Sequence, residues 1–198
     1  MVPLSVCLGP RLILRESAPE PRLDSFAADF GWEKVEYPED LQAGTLREVV
    51  WEGYDLGLHY LIDDVTECPY IYFSADMSHT AQALTQMATD HLHVYGRAEL
   101  LSAFDTARGA AERRRTLLMA ALGSSHTLDD ALYQRIRDAA HAPEPELRRA
   151  AVYAASYSPS VRYKPLLALL SADDPDPAVR LDAGLMLDAI NEVGTGGV

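Results

Sequence analysis

The spacing of apolar positions along the chain changes character near residue 76. Before it, short runs alternate in the manner of strands. Leu12-Ile-Leu is a short candidate, and Leu46-Arg-Glu-Val-Val-Trp-Glu is followed by the turn signal Gly53-Tyr-Asp. Leu56, Leu58, Tyr60 and Ile62 then alternate with Gly57, His59 and Leu61, the period of two that a half-buried strand shows. Asp63-Asp-Val-Thr-Glu-Cys-Pro reads as a loop, and Tyr70-Ile-Tyr-Phe returns as an aromatic and β-branched run. Three such strands make a meander whose hydrophobic face needs a cover. Residues 16–44, rich in proline and acids, predict loop with a short helix around Ser25–Phe30.

After residue 76 the period becomes helical. Ala81–Tyr95 places Leu84, Met87, Ala88, His91 and Leu92 on one face, with Ser78 as a cap. Gly96 breaks it, and helices are predicted at Glu99–Ala107, Ala111–Leu122, Leu128–Ala140, Pro145–Ser156, Ser160–Leu170 and Pro177–Glu192. Gly123-Ser-Ser-His, Ala142-Pro-Glu-Pro and Ala172-Asp-Asp-Pro-Asp-Pro separate the later ones. Short helices on short links imply stacked helix pairs.

Two of these helices open alike. Glu144-Pro-Glu-Leu-Arg-Arg-Ala-Ala and Asp176-Pro-Ala-Val-Arg-Leu-Asp-Ala stand 32 residues apart. The acid suits a helix N-terminus, proline tolerates the first turn, the aliphatic residue turns inward, and the small residue lets a neighbour approach. Ala111-Glu-Arg-Arg-Arg-Thr-Leu-Leu-Met-Ala-Ala is a worn third copy, offset by 35 residues and lacking the proline. The pattern resembles a HEAT repeat of the short bacterial kind, marked by Asp-Pro-x-Val-Arg-x-x-Ala. The resemblance covers residues 109–193, with 77–108 as a degenerate first pair. The expected fold class is therefore α+β: a small N-terminal antiparallel β subdomain (1–76), an α-helical HEAT-like solenoid (77–193) and a flexible tail (194–198). The resemblance implies that Arg148 and Arg180 form a structural ladder with Asp173, Asp174 and Asp176.

Composition narrows the class of function. Acidic residues number 30 against 17 basic ones, a net charge of −13, and residues 1–75 carry −9 of it. Nucleic-acid binders need the opposite sign, so no nucleic-acid partner is expected, and a basic protein partner suits the field. Fifteen of the 17 basic residues are arginine, a bias that fits a GC-rich bacterial genome. The N-terminus has no basic region and is broken by Pro3, Gly9 and Pro10, and no apolar run reaches about 18 residues, so neither a signal peptide nor a membrane span is expected. Two cysteines, Cys7 and Cys68, leave one disulfide open, though two reduced thiols in a cytoplasmic protein fit better.

Catalytic and metal signatures do not emerge from spacing. His91-Leu-His93 faces two sides of a helix, and His59, His79, His126 and His141 are scattered. The Asp63, Asp64 and Glu67 loop lacks the alternating ligands and glycine of a calcium loop. Cys68 has no neighbouring base in sequence, and phosphate-loop and nucleophile-elbow motifs are missing. No catalytic residue, metal or cofactor is therefore expected.

The expected activity is non-catalytic protein binding, with an immunity- or antitoxin-like protein that occludes a basic enzyme as its sharpest form. The rivals are a scaffold or adaptor subunit and, with less support, a HEAT-like lyase or DNA glycosylase. The partner-binding candidates are Tyr133, Arg137, Tyr157 and Tyr163 in the repeats and Asp63, Asp64 and Glu67 in the acidic loop. The tyrosines serve equally as inter-repeat core. In the last helix Val179, Met186 and Ile190 line one side while Leu181 and Leu185 lie opposite, so the second side needs another cover: the N-terminal sheet or another chain, with a homo-oligomer through this helix one form.

Overall fold

The computed structural model describes residues 6–35, 45–124 and 129–195. Ser125 and His126 of the breaker at 123–126, the predicted helix start at Leu128 and residues 196–198 of the expected tail lie outside them; residues 194 and 195 belong to the last helix. The architecture is α+β, an N-terminal antiparallel sheet with eight helices among the described residues. By contacts the chain divides into two units, Met1–Tyr95 and Gly96–Val198.

The first unit holds strands β1 (Cys7–Leu8), β2 (Leu12–Ile13), β3 (Glu33–Val35), β4 (Thr45–Gly53), β5 (Leu56–Asp63) and β6 (Pro69–Ala75), with helices α1 (Glu20–Asp29) and α2 (Ser78–His91). The sheet runs β1-β6-β5-β4-β3, every pairing antiparallel, and β2 joins β6 further along the edge that β1 occupies. The expected meander is thus its centre, and β1 and β3 are additions. Register sets the two faces. Trp51, Leu58 and Phe73 stand in one row and Val49, Tyr60 and Ile71 in the next. On this face Leu23, Phe26 and Ala27 of α1 and Leu84 and Ala88 of α2 close a single core with Trp32 and Trp51. The cover that the meander required is therefore two helices of the same unit. The buried Trp51 indole is satisfied by Asp24, its Nε1 donating to Oδ1 at 2.9 Å.

The sequence predicts a helix over Ala81–Tyr95, capped by Ser78, at the head of the repeats; the helix found runs Ser78–His91. The structure packs it on β6 and β1, which puts the division at 95/96 rather than 76/77. An apolar stripe fits a sheet as readily as another helix, so period alone does not distinguish the two covers.

The second unit is helical: α3 (Arg97–Thr106), α4 (Ala110–Leu122), α5 (Asp130–Ala140), α6 (Pro145–Tyr157), a 3-10 turn (Val161–Tyr163), α7 (Lys164–Asp173) and α8 (Pro177–Thr195). Consecutive helices pack as α3 on α4, α5 on α6 and α7 on α8, and the second members also pack in series, α4 on α6 and α6 on α8. Leu147 and Ala151 of α6 and Val179 and Ala183 of α8, which hold matching places in the two helix openings, are all buried. Among the described residues, no helix is long and apolar enough to cross a membrane.

Candidate functional site

Arg148 and Arg180 occupy equivalent brackets. Arg148 donates to the carbonyls of Ala142 and Pro143 at 3.0 and 2.8 Å, and Arg180 to those of Asp174 and Pro175 at 2.6 and 3.3 Å. Each guanidinium thus ties off the turn that opens its own helix. Arg148 also forms a fork with Asp174, 2.7 and 2.9 Å, in which both side chains are buried. That hydrogen bond raises the Arg148 pKa and holds the Asp174 carboxyl below its ordinary value. Asp174 further accepts from the Asp176 amide, and Asp176 accepts from Ala178 and Val179 at the start of α8. Asp173 is exposed. Ala142 stands 32 residues before Asp174, and Arg113 stacks on Phe104 at 4.9 Å. The first and second helix pairs are joined by Arg97–Asp129 and Arg135–Asp105.

The candidate contact residues fall in different settings. Tyr163 is wholly buried, its ring 5.7 Å from that of half-buried Tyr133, and burial pushes its hydroxyl up to about 12. Arg162 lies over Tyr133 at 4.3 Å and pairs with Asp130 at 2.8 Å, so these tyrosines join α5 to the 3-10 turn. Tyr163 offers no surface to a partner. Tyr157 is half-buried and Arg137 exposed. Asp63 is also buried, accepting the Thr66 amide at 2.7 Å to shape its loop, whereas Asp64 and Glu67 are exposed. Asp63, Asp64 and Glu67 belong to the sheet unit, and Tyr133, Arg137, Tyr157 and Tyr163 to the helical one.

A different constellation lies on the sheet face away from α1 and α2. Register places Glu48 on β4, His59 on β5 and Ser74 on β6 on that face. His59 Nε2 is 2.8 Å from Ser74 Oγ, and its Nδ1 is 3.4 Å from Glu48 Oε1. The tautomer that satisfies both carries its proton on Nδ1 and accepts the serine hydroxyl at Nε2. Tyr72 stacks flat on the imidazole, centroids 4.5 Å apart and planes 6° from parallel. Burial lowers the His59 pKa, against the opposing pull of Glu48 and Glu52, which keeps the ring neutral at neutral pH. His59 and Ser74 form part of the wall of a cavity of about 540 Å³ that Glu33, Glu52, Asp55 and Asp76 also line. Gly57 makes the pair possible: a Cβ there would stand 2.5 Å from Ser74 Oγ and 2.9 Å from His59 Nε2. Sequence reading missed this group because no motif links positions 48, 59 and 74. The available signal was a glycine inside an alternating strand, which marks close approach.

Among the described residues no cluster of three or more His, Cys, Asp or Glu could hold a metal ion. On α8, Val179, Ala183 and Ile190 are buried, while Leu181 and Leu185 are 64% and 62% exposed. Comparison with family models, curated proteins and solved structures returns no match.

Proposed function

We propose that the chain is a protein-binding module whose helical unit is a short HEAT-like solenoid, and that its partner is a basic protein occluded in the manner of an immunity protein or antitoxin. The observation that carries this reading is the outer side of α8. Leu181 and Leu185 stand one turn apart and mostly exposed, with exposed Asp188 and Glu192 beside them. Large apolar side chains that stand exposed side by side mark a surface for a partner. An apolar stripe edged by carboxylates suits a surface with aliphatic or aromatic anchors and a basic rim. The paired brackets at Arg148 and Arg180 and the serial packing of α4, α6 and α8 support the repeat reading. The net charge of −13 supports the sign of the partner.

The test is capture by the tagged full chain at low and high salt, with the retained proteins identified. A basic protein held at low salt, shed at high salt and lost from the Leu181→Ser/Leu185→Ser variant is the expected result; recovery of no basic protein at low salt refutes it. The exposed leucines also favour a scaffold or adaptor role, which predicts a partner whose retention is insensitive to salt.

A further inference from the structure

We propose that Ser74, His59 and Glu48 form a nucleophilic centre in the sheet unit, with Ser74 Oγ attacking esters that carry a cationic acyl group, His59 as its base and Glu48 as the positioning residue. This goes beyond the binding role of the helical unit and uses none of its residues.

The geometry meets the requirements of an activated serine. Nucleophile and base are within hydrogen-bond reach at 2.8 Å, and the other ring nitrogen faces a carboxylate at 3.4 Å. Stacking on Tyr72 fixes the plane of the ring. The burial that keeps His59 neutral leaves Nε2 able to accept a proton. Both groups open on a cavity large enough for a small ester. Charge selects the substrate: Glu52, Asp55 and Asp76 on the cavity wall attract a cation and repel an anionic acyl group.

In the reaction Ser74 Oγ forms a bond to the ester carbonyl carbon as its proton passes to His59 Nε2. The tetrahedral adduct collapses, breaking the bond to the leaving alcohol, which takes up the proton from His59; where it departs as a stable anion such as 4-nitrophenolate, His59 releases that proton to solvent instead. Water, deprotonated by His59, then attacks the acyl-serine, releasing the acid and restoring the serine. Ser74 is the penultimate residue of β6, paired with Leu8 of β1 on one side and Gly57 of β5 on the other, so the backbone amides beside it serve the sheet. A missing oxyanion donor typically lowers kcat by about 10²–10³. The centre is therefore suited to esters with good leaving groups, and the acyl-serine accumulates because deacylation by water is the slower step.

The probe is 4-nitrophenyl 4-guanidinobenzoate, mixed with the full chain, with 4-nitrophenyl acetate as the neutral comparison. The expected result is a burst of 4-nitrophenolate approaching one equivalent, with the guanidinobenzoyl group mapped to Ser74 by mass spectrometry. The burst disappears in Ser74→Ala and slows at least tenfold in His59→Gln and Gly57→Ala, with circular dichroism reporting that each variant is folded. Glu48 and Glu52 on β4 both favour the protonated imidazole, and Tyr72 on β6 covers its face. Glu48→Gln therefore moves the midpoint of the acylation–pH profile to lower pH, which a purely structural carboxylate would not do. Absence of acyl-Ser74 in the folded wild-type chain, or acylation that is unchanged in His59→Gln, overturns the centre. Equal burst rates for the neutral and cationic esters overturn the substrate class.

Discussion

At the scale of single residues, the Arg148–Asp174 fork is the interaction with the largest stake. The two side chains are 9% and 1% exposed, so removing one leaves the other charged and out of water. Breaking a pair of this kind costs about 3–5 kcal/mol. Asp174→Ala should therefore lower the free energy of unfolding measured by urea denaturation by an amount of that order, whereas Asp173→Ala, at an exposed neighbour, should leave it nearly unchanged. The pH dependence follows from the direction of the shift. The Arg148 hydrogen bond holds the Asp174 carboxyl lower in the folded chain than in the unfolded one. Its stabilisation is complete above the unfolded carboxylate range, near pH 4, and is lost as pH falls through the folded value. Asp174→Asn has no such group to titrate, so the stability gap between it and the wild type should narrow on acidification from pH 6 to pH 2. A gap that stays constant would show that the carboxylate contributes nothing through its charge. Arg148 and the acidic turn at 173–176 were legible in the sequence from the likeness of two helix openings, though not which of its three acids Arg148 holds. His59 and Ser74 were not, since their meeting depends on strand register.

Elements show the same division between what period reveals and what it leaves open. The turn at Gly53-Tyr-Asp was visible, and the β4–β5 hairpin forms there with Tyr54 and Asp55 both at positive φ, 46° and 62°. A two-residue hairpin of this hand prefers glycine at its second position. Asp55→Gly should thus raise stability by about 0.5 kcal/mol, because relief of the strained backbone exceeds the added freedom of the unfolded chain. Two residues earlier the sign reverses. A Cβ on Gly53 would lie 2.3 Å from Trp32 Cδ1, inside a packed aromatic cluster, so Gly53→Ala should cost about 1–3 kcal/mol. Chemical denaturation of the two variants checks both signs. β1 and β3, at two and three residues, are too short for alternation to register, and they exist because β6 and β4 offer open edges. Helix α2 was recognised as an amphipathic helix but assigned the wrong neighbour, since its stripe of Ala81, Leu84 and Ala88 records that a face is buried and not what buries it.

For the molecule as a whole, charge is the property that no local pattern displays and that bears on every reading above. At −13, carboxylates repel one another throughout the chain, and residues 1–75 hold −9 of that total. Self-repulsion of this kind disfavours the compact state and is screened by salt. The Arg–Asp pairs pull the other way, since salt weakens attraction as well, but the most buried of them, Arg148–Asp174, is poorly reached by ions, and the exposed ones contribute about 0–1 kcal/mol each. Repulsion among unpaired carboxylates is the larger salt-sensitive quantity, so thermal stability should rise as sodium chloride increases from low to physiological strength. Sodium chloride is the appropriate salt because sulfate would add a stabilisation of its own by exclusion from the surface. A melting temperature that falls with sodium chloride would mean that the ion pairs outweigh the repulsion. It would also weaken the case for a basic partner, which rests on a field of uncompensated negative charge available to be neutralised on binding.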